Sequence, residues 1–356
     1  MPPDATPLAR LLAARIAATG PVTLADYMAE CLGHPKYGYY MTRDPLGQRG
    51  DFTTAPEISQ MFGELLGLAL AQAWLDQGGP VPFVLAELGP GRGTLMADVL
   101  RATARVPGFH AGYRLHLVET SPVLRAAQAA RLPGAIWHDS YATLPEGPLY
   151  LLANEFFDAL PIRQFTRRGN GWAETVVGLQ NGRLTPGMAA PLPLATLQNR
   201  LSDTAEGDVV ETCAPAAGIV AGLGARIEAQ GGAALIIDYG AGPSCGDTFQ
   251  AMAAHGPTDP FAAPGLADLT AHVDFVALAA AAAPARASSV TPQGHFLDRL
   301  GIRQRAVALA ARLTGEAHDS HLAALRRLTA PGEMGDLFKV IGLTPAAAPH
   351  LAGLDP

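Results

Sequence analysis

The sequence predicts an α/β fold: a sheet of the nucleotide-binding type, with a helical part ahead of it and a β-rich segment inserted into it. Three observations carry this. In the stretch Pro82 to Leu95, an apolar run of strand length, Phe83 to Leu88, is broken by Gly89, Gly91 and Gly93 and passes into Thr94-Leu95-Met96-Ala97-Asp98-Val99-Leu100 at helical spacing. Further short apolar runs follow at Tyr113 to Glu119, Ala135 to His138, Leu149 to Ala153 and Ala233 to Tyr239. Between the last two, weak alternation around Gly169-Asn170-Gly171 and Asn181-Gly182 signals β-hairpins. A strand, a tight glycine loop and a helix, followed by more strands, make a Rossmann-like arrangement.

In chain order, Leu8, Leu11, Leu12, Arg15 and Ile16 recur at helical steps, and Gly20-Pro21 ends that helix. A second helix runs from Thr23 to Leu32, and Gly33 to Tyr40 reads as a loop with aromatic anchors. Thr54 with Glu57 three residues later has the pattern of a capping box, Pro56 suits a first turn, and an apolar stripe from Ile58 to Ala73 predicts one helix reaching about Leu75. Gly78-Gly79-Pro80 then divides a helical part, 1–80, from a core, 81–356. Within the core, Ser121-Pro122 opens a helix carrying Leu124, Gln128 and Leu132. About 162–207 is the inserted β-rich segment, Pro215 to Ala229 is a helix, and the tail from Phe296 reads as helical with Gly and Pro breaks.

The 356 residues carry a net charge of −7, which argues against nucleic acid as a partner, since phosphate-backbone binding needs a basic footprint. Lys occurs only at positions 36 and 339, so the basic residues are almost all Arg, and Ala is abundant; this fits a GC-rich bacterial genome. Cys31, Cys213 and Cys245 are far apart and odd in number, so neither a disulfide framework nor a Cys-x-x-Cys metal or redox site is expected. A cytoplasmic setting follows for a bacterial chain, or the mitochondrial matrix for a eukaryotic one. No run of eighteen apolar residues occurs, so membrane insertion is not expected.

The glycine loop points to a nucleotide-like ligand because it turns sharply, exposes its backbone and is followed by free N–H groups of a helix start. Its Gly-x-Gly-x-Gly spacing differs from the dinucleotide pattern, and Glu87 at the strand end would repel a pyrophosphate and attract an amine or sulfonium. This favours S-adenosylmethionine at Glu87, Gly89, Gly91 and Gly93 over NAD in an oxidoreductase. Glu119, the acid at the second strand tip, is placed at the ribose hydroxyls. Asp139 is placed at the adenine amino group, with Ser140 beside it. Asn154, Glu155 and Asp158 lie beside Phe156 and Phe157 at the end of the fourth strand, where open α/β sheets build their chemistry. Asp51 and Glu57 share one loop that suits a cationic substrate, and His272 and Asp274 lie in a further polar stretch, 268–274.

Together, Gly50 to Glu57, Phe62-Gly63-Glu64, Glu87 to Leu95, Val118 to Ser121, Ala153 to Pro161, Ile237 to Gly240 and Asp268 to Phe275 resemble the MidA-type methyltransferases over about residues 23–340. These are class I S-adenosylmethionine-dependent proteins related to the mitochondrial arginine methyltransferase that assists assembly of respiratory complex I. The resemblance implies a seven-stranded methyltransferase sheet, cofactor at the glycine loop, and transfer to a guanidinium on a complex I subunit. It then makes Asn154, Glu155 and Asp158 the candidates that orient the guanidinium; Glu155 and Asp158 would share one side of a helical turn, and Asn154 also borders the cofactor. An assembly factor that binds the cofactor without transferring methyl is the alternative within the same resemblance. Gly246 to His255 departs from the family's Gly-Thr-Leu-Arg pattern, which bears on the substrate more than on the cofactor, and a double-Glu hairpin loop is not found.

Overall fold

The computed structural model describes residues 5–43 and 53–355. Among these, 53–157, 217–241 and 275–355 form one compact unit, and 5–43, 158–216 and 242–274 form another. The expected boundary at residue 80 is not where the chain divides: the helix Gln60–Asp76 packs in the same core as the strand Phe83–Leu88.

The first unit is built on a sheet whose strands lie in the order Arg286–Ala287, Phe338–Thr344, Gly232–Ala241, Leu149–Asn154, Phe83–Leu88, Tyr113–Val118 and Ile136–His138. Pairing is parallel from Gly232–Ala241 through to Ile136–His138, while Phe338–Thr344 runs antiparallel to Gly232–Ala241 with Ile236 opposite Ile341. The resemblance implied seven strands; among the described residues the sheet has nine, seven of them on this path, and the path explains the unbroken apolar runs: Phe83 to Leu88 and Leu149 to Asn154 are buried at every position, as strands covered on both faces must be. The last strand corrects the reading of a wholly helical tail. Helices do occupy Ile302–Ala310 and Gly315–Thr329, but Phe338 turns the chain back into the sheet.

Gln60–Asp76 is apolar nearly all round, which fits a helix enclosed by other elements. It lies tightly against Thr94–Thr103, since a Cβ on Gly67 would stand 2.9 Å from the Cα of Val99. Its buried Glu64 accepts from Arg305 (Nε, 2.7 Å) and Arg101 (Nη1, 2.5 Å), and Arg101 also pairs with Asp98 at 2.5 Å, so two cations and two carboxylates form one cluster. The helix does not begin at Thr54. Ala55–Ile58 is a separate turn, Ser59 is extended, and the Ser59 hydroxyl caps the long helix by accepting from Met61 N–H at 3.2 Å. Thr54 makes no side-chain cap, so the capping box is not formed.

In the second unit, Val22–Thr23, Gly171–Gln180, Arg163–Arg168 and Val209–Thr212 form an antiparallel sheet, with Arg183–Met188 on Gly171–Gln180. The two hairpins turn where predicted. Asn181 and Gly182 both have positive φ, 51° and 72°, between paired Gln180 and Arg183, as a two-residue type I′ turn requires. The β-rich region extends beyond 207 to Val209–Thr212 and shares its unit with the helices Pro7–Thr19 and Leu24–Gly33. Tyr27, fully buried on the second of these, donates to Pro260 O at 2.6 Å and rests on Phe261. Among the described residues no helix is long and apolar enough to cross a membrane, and no group of three His, Cys, Asp or Glu is placed to hold a metal.

Candidate functional site

The glycine loop leaves the carboxyl end of the central strand, flanked by parallel partners at Val118 and Ala153. Gly89, Gly91 and Gly93 all adopt left-handed φ (61°, 53° and 77°), a conformation costly for residues with a Cβ. Space is short as well: a Cβ on Gly89 would meet the Phe156 ring at 2.9 Å, and one on Gly93 would meet Leu132 at 2.9 Å. Glu87 is 2% exposed. Met96 N–H, in the first turn of the following helix, reaches its carboxylate, while Oε2 has no partner among the described residues. Burial pushes the Glu87 carboxyl up to about 8, and the nearby Glu119 charge adds to the rise. A buried carboxyl with an unpartnered oxygen, beside a second acid, fits a cationic ligand and opposes a phosphate.

Glu119 follows the strand Tyr113–Val118, and its own N–H donates to His138 O at 3.0 Å. Its Oε1 accepts from Ser121 N–H at 2.8 Å and its Oε2 from Gln128 Nε2 at 3.2 Å. Burial raises the Glu119 pKa, and these bonds oppose the rise. A carboxylate has about four acceptor positions, so further donors can be taken. Asp139 is exposed and pairs with Arg125 Nη2 at 2.6 Å; Arg125 Nε also donates to Glu119 O at 2.7 Å. Ser140 Oγ accepts from Ala142 N–H at 3.3 Å and caps the short turn Tyr141–Thr143.

At the end of Leu149–Asn154, the Asn154 Nδ2 donates to Glu155 Oε1 at 3.1 Å, and Asn154 Oδ1 is buried without a partner among the described residues. Glu155 has φ +51°, rare for a residue with a side chain, and its Oε1 also accepts from Ala55 N–H at 3.2 Å. Glu155 to Asp158 therefore does not make the expected helical turn, and Asp158 caps no helix. The backbone is set instead by Glu155 N–H on Ile237 O at 3.0 Å and by fully buried Asp238, whose two oxygens accept from Phe157 N–H and Tyr239 N–H, both at 2.9 Å. The division between units falls between Phe157 and Asp158.

Glu57 accepts from the Thr94 hydroxyl at 2.5 Å, which ties the turn Ala55–Ile58 to the first residue of the glycine-loop helix. In the other unit, Asp158 is buried and Tyr40 donates to buried Asp268 at 2.9 Å; burial first, then the charges of Asp268 and Asp158, drives the Tyr40 pKa up. Asp274 Oδ2 accepts from Ser244 N–H at 2.9 Å, and His272 is exposed with its N–H on Thr248 Oγ1 at 2.8 Å. Asp51 lies outside the described residues.

The structure thus brings Glu87, Gly89, Gly91, Gly93, Glu119 and Asn154 to the carboxyl ends of adjacent strands, with Glu155 and Glu57 held by the segment 55–58. Sequence reasoning gave no role to Asp238, although an acid directly after the buried run Leu235-Ile236-Ile237 is the signal that singled out Glu87 and Glu119.

A family profile described as S-adenosyl-L-methionine-dependent methyltransferase matches residues 65–293. The chain is 38% identical to the protein arginine methyltransferase NDUFAF7, mitochondrial, of Danio rerio, with 92% of this chain and 84% of that protein covered. It is 36% identical to the Homo sapiens protein of the same name, with 96% and 84% covered. A crystal structure of a superfamily member from Burkholderia thailandensis bound to S-adenosyl-homocysteine superposes with a TM-score of 0.81 at 32% identity, over 97% of this chain and 94% of that one. With the strand order, the glycine loop and the acid pair in place, these likenesses settle the family: the chain belongs to the S-adenosyl-L-methionine-dependent methyltransferases of the type that includes NDUFAF7.

Proposed function

We propose that this protein methylates an arginine on a subunit of respiratory complex I and supports its assembly, holding S-adenosylmethionine over the glycine loop. The observation that carries the cofactor site is the pair of buried acceptors without a partner among the described residues, Glu87 Oε2 and Asn154 Oδ1, on neighbouring strand tips beside a loop where Gly89 and Gly93 leave no room for a Cβ. Glu87 takes the ligand's positive end, Glu119 accepts from the ribose hydroxyls, and the backbone at Gly89, Gly91 and Gly93 lies against the methionine moiety. Asp139 and Ser140 border the adenine.

The bound cofactor supplies an activated methyl group on a sulfonium. The protein's own residues must align the nucleophile and exclude water. An arginine guanidinium is protonated up to pKa above ~12, so acceptors must orient it, localise its charge and take its proton late in the transfer. Asn154, Glu155 and Asp158 are assigned this task, with Glu57, Asp51, His272 and Asp274 as the further polar groups to be tested on the substrate side. A bacterial protein would act in the cytoplasm, and a eukaryotic one in the mitochondrial matrix.

The test is intact-peptide mass spectrometry of complex I subunits from cells with and without the gene, followed by transfer with purified protein and labelled cofactor. An arginine whose methyl mark vanishes with the gene and returns with purified protein supports the assignment. Assembly failure with every subunit's methylation unchanged refutes it in favour of a binding-only assembly factor.

A further inference from the structure

Gln128 sits on the helix Pro122–Arg131, is fully buried, and touches three elements at once. Its Nε2 donates to Gly91 O at 2.7 Å, within the glycine loop, and to Glu119 Oε2 at 3.2 Å, at the second strand tip. Its Oε1 accepts from Trp137 Nε1 at 2.8 Å, and Trp137 lies on Ile136–His138, opposite Leu117 in the sheet.

The direction of this amide is dictated by chemistry. An indole N–H only donates, so Trp137 must face Oε1; a backbone carbonyl only accepts, so Gly91 must face Nε2. Both amide hydrogens and the amide oxygen are then used, and the side chain has one workable orientation. The helix is also seated closely on the loop, because a Cβ on Gly93 would lie 3.7 Å from Gln128 Cα and 2.9 Å from Leu132.

We propose that Gln128 is a positioning residue for the cofactor: its amide, oriented by Trp137, clamps the glycine-loop backbone to the Glu119 carboxylate so that both meet the ligand in one fixed geometry. This rests on the cofactor reading above. With Oε1 of Glu119 on Ser121 N–H and one site of Oε2 on Gln128, the remaining acceptor sites of that carboxylate are aimed before any ligand arrives. Such preorganisation lowers the ordering cost of binding.

The experiment is calorimetric titration of S-adenosylhomocysteine into the purified full chain and its variants from pH 5.5 to 8.5. Gln128→Met keeps the bulk and removes both donors, and an affinity loss of about tenfold or more at pH 7, with the circular-dichroism spectrum unchanged, is expected. Gln128→Glu keeps the shape and the acceptor for Trp137 but sets a carboxylate against Gly91 O and Glu119. Its affinity relative to wild type at the same pH should be lowest at pH 8.5 and recover toward pH 5.5, where the new carboxyl gains a proton to donate. Taking the ratio removes whatever pH dependence the other charged groups around Glu119, namely Glu87, Arg125 and the Asp139 paired to it, give to both proteins alike. Trp137→Phe, which leaves Gln128 in place but free to turn over, should weaken binding by a smaller factor. Binding within twofold of wild type in Gln128→Met, or a Gln128→Glu profile parallel to wild type, overturns the clamp while leaving the cofactor site standing. Wild type that does not bind the ligand overturns both.

Discussion

Glu87→Gln tests the least usual group in the site. The folded protein holds this carboxyl near pKa 8, whereas an ordinary glutamate titrates at 4.5. Because the folded value is the higher one, protonation favours the folded state. The stabilising effect is fully present below pH 4.5 and is lost as pH rises through about 8. Between the two pKa values stability falls by about 1.4 kcal/mol for each step of one in pH, so the cofactor-free wild type should lose roughly 3 kcal/mol between pH 4.5 and 7 that the glutamine variant, which cannot titrate, retains. Urea unfolding of both cofactor-free proteins at half-unit pH steps measures this as a widening gap in midpoint. If Glu87 also takes the ligand's cation, binding of S-adenosylhomocysteine at pH 7 should release close to one proton from wild type and none from the variant, read by calorimetry in buffers of unlike ionisation enthalpy. Parallel stability curves across pH 5 to 8 would show that Glu87 ionises normally and that its burial does not act as argued.

Glu119→Ala removes the acceptor of the ribose hydroxyls and should weaken cofactor binding by roughly 1.5–3 kcal/mol, as for hydrogen bonds to a charged group, and a loss well under tenfold in affinity would place the ribose elsewhere. Gly89→Val forces a branched side chain into left-handed φ and onto the Phe156 ring, so ligand binding should be lost while the far-UV spectrum stays; unchanged calorimetric binding contradicts the loop assignment. Asp158→Asn should lower methyl transfer strongly with nearly constant cofactor affinity, because only the transition state loses an interaction, and Glu155→Gln should follow it; parallel loss of affinity and transfer in both would move the motif to the cofactor pocket.

The glycine loop and the acids at the strand ends were legible because each part is local. Gly89, Gly91 and Gly93 are demanded by backbone geometry, and Glu87 and Glu119 stand out as acids ending apolar runs. What stayed hidden depends on partners far along the chain. Thr54, Pro56 and Glu57 satisfy every local rule for a capping box, yet the Glu57 carboxylate goes to Thr94, 37 residues on, and Ser59 becomes the cap. Phe338 to Thr344 follows helices, contains Gly342 and is buried along almost its whole length, so it lacks the alternation that marks a half-exposed strand. Val22 and Thr23 are too few to read as a strand until their partners Val177 and Val176 are known. Asp158 looked like a helical neighbour of Glu155, but the positive φ at Glu155 turns the chain away from that course.

The place of Phe338–Thr344 in the sheet has a consequence for biosynthesis. Its partner Gly232–Ala241 is synthesised about a hundred residues earlier, a delay of roughly 5–20 s at ordinary translation rates. Until the last strand emerges, the edge of Ala233-Ala234-Leu235-Ile236-Ile237 offers unpaired backbone groups and no charge to deter another chain, the condition that favours edge-to-edge association. Ribosome-bound chains halted before residue 338 should therefore recruit chaperones that chains released after residue 344 do not, and a stop codon placed just before codon 338 should yield an insoluble product rather than a shortened enzyme.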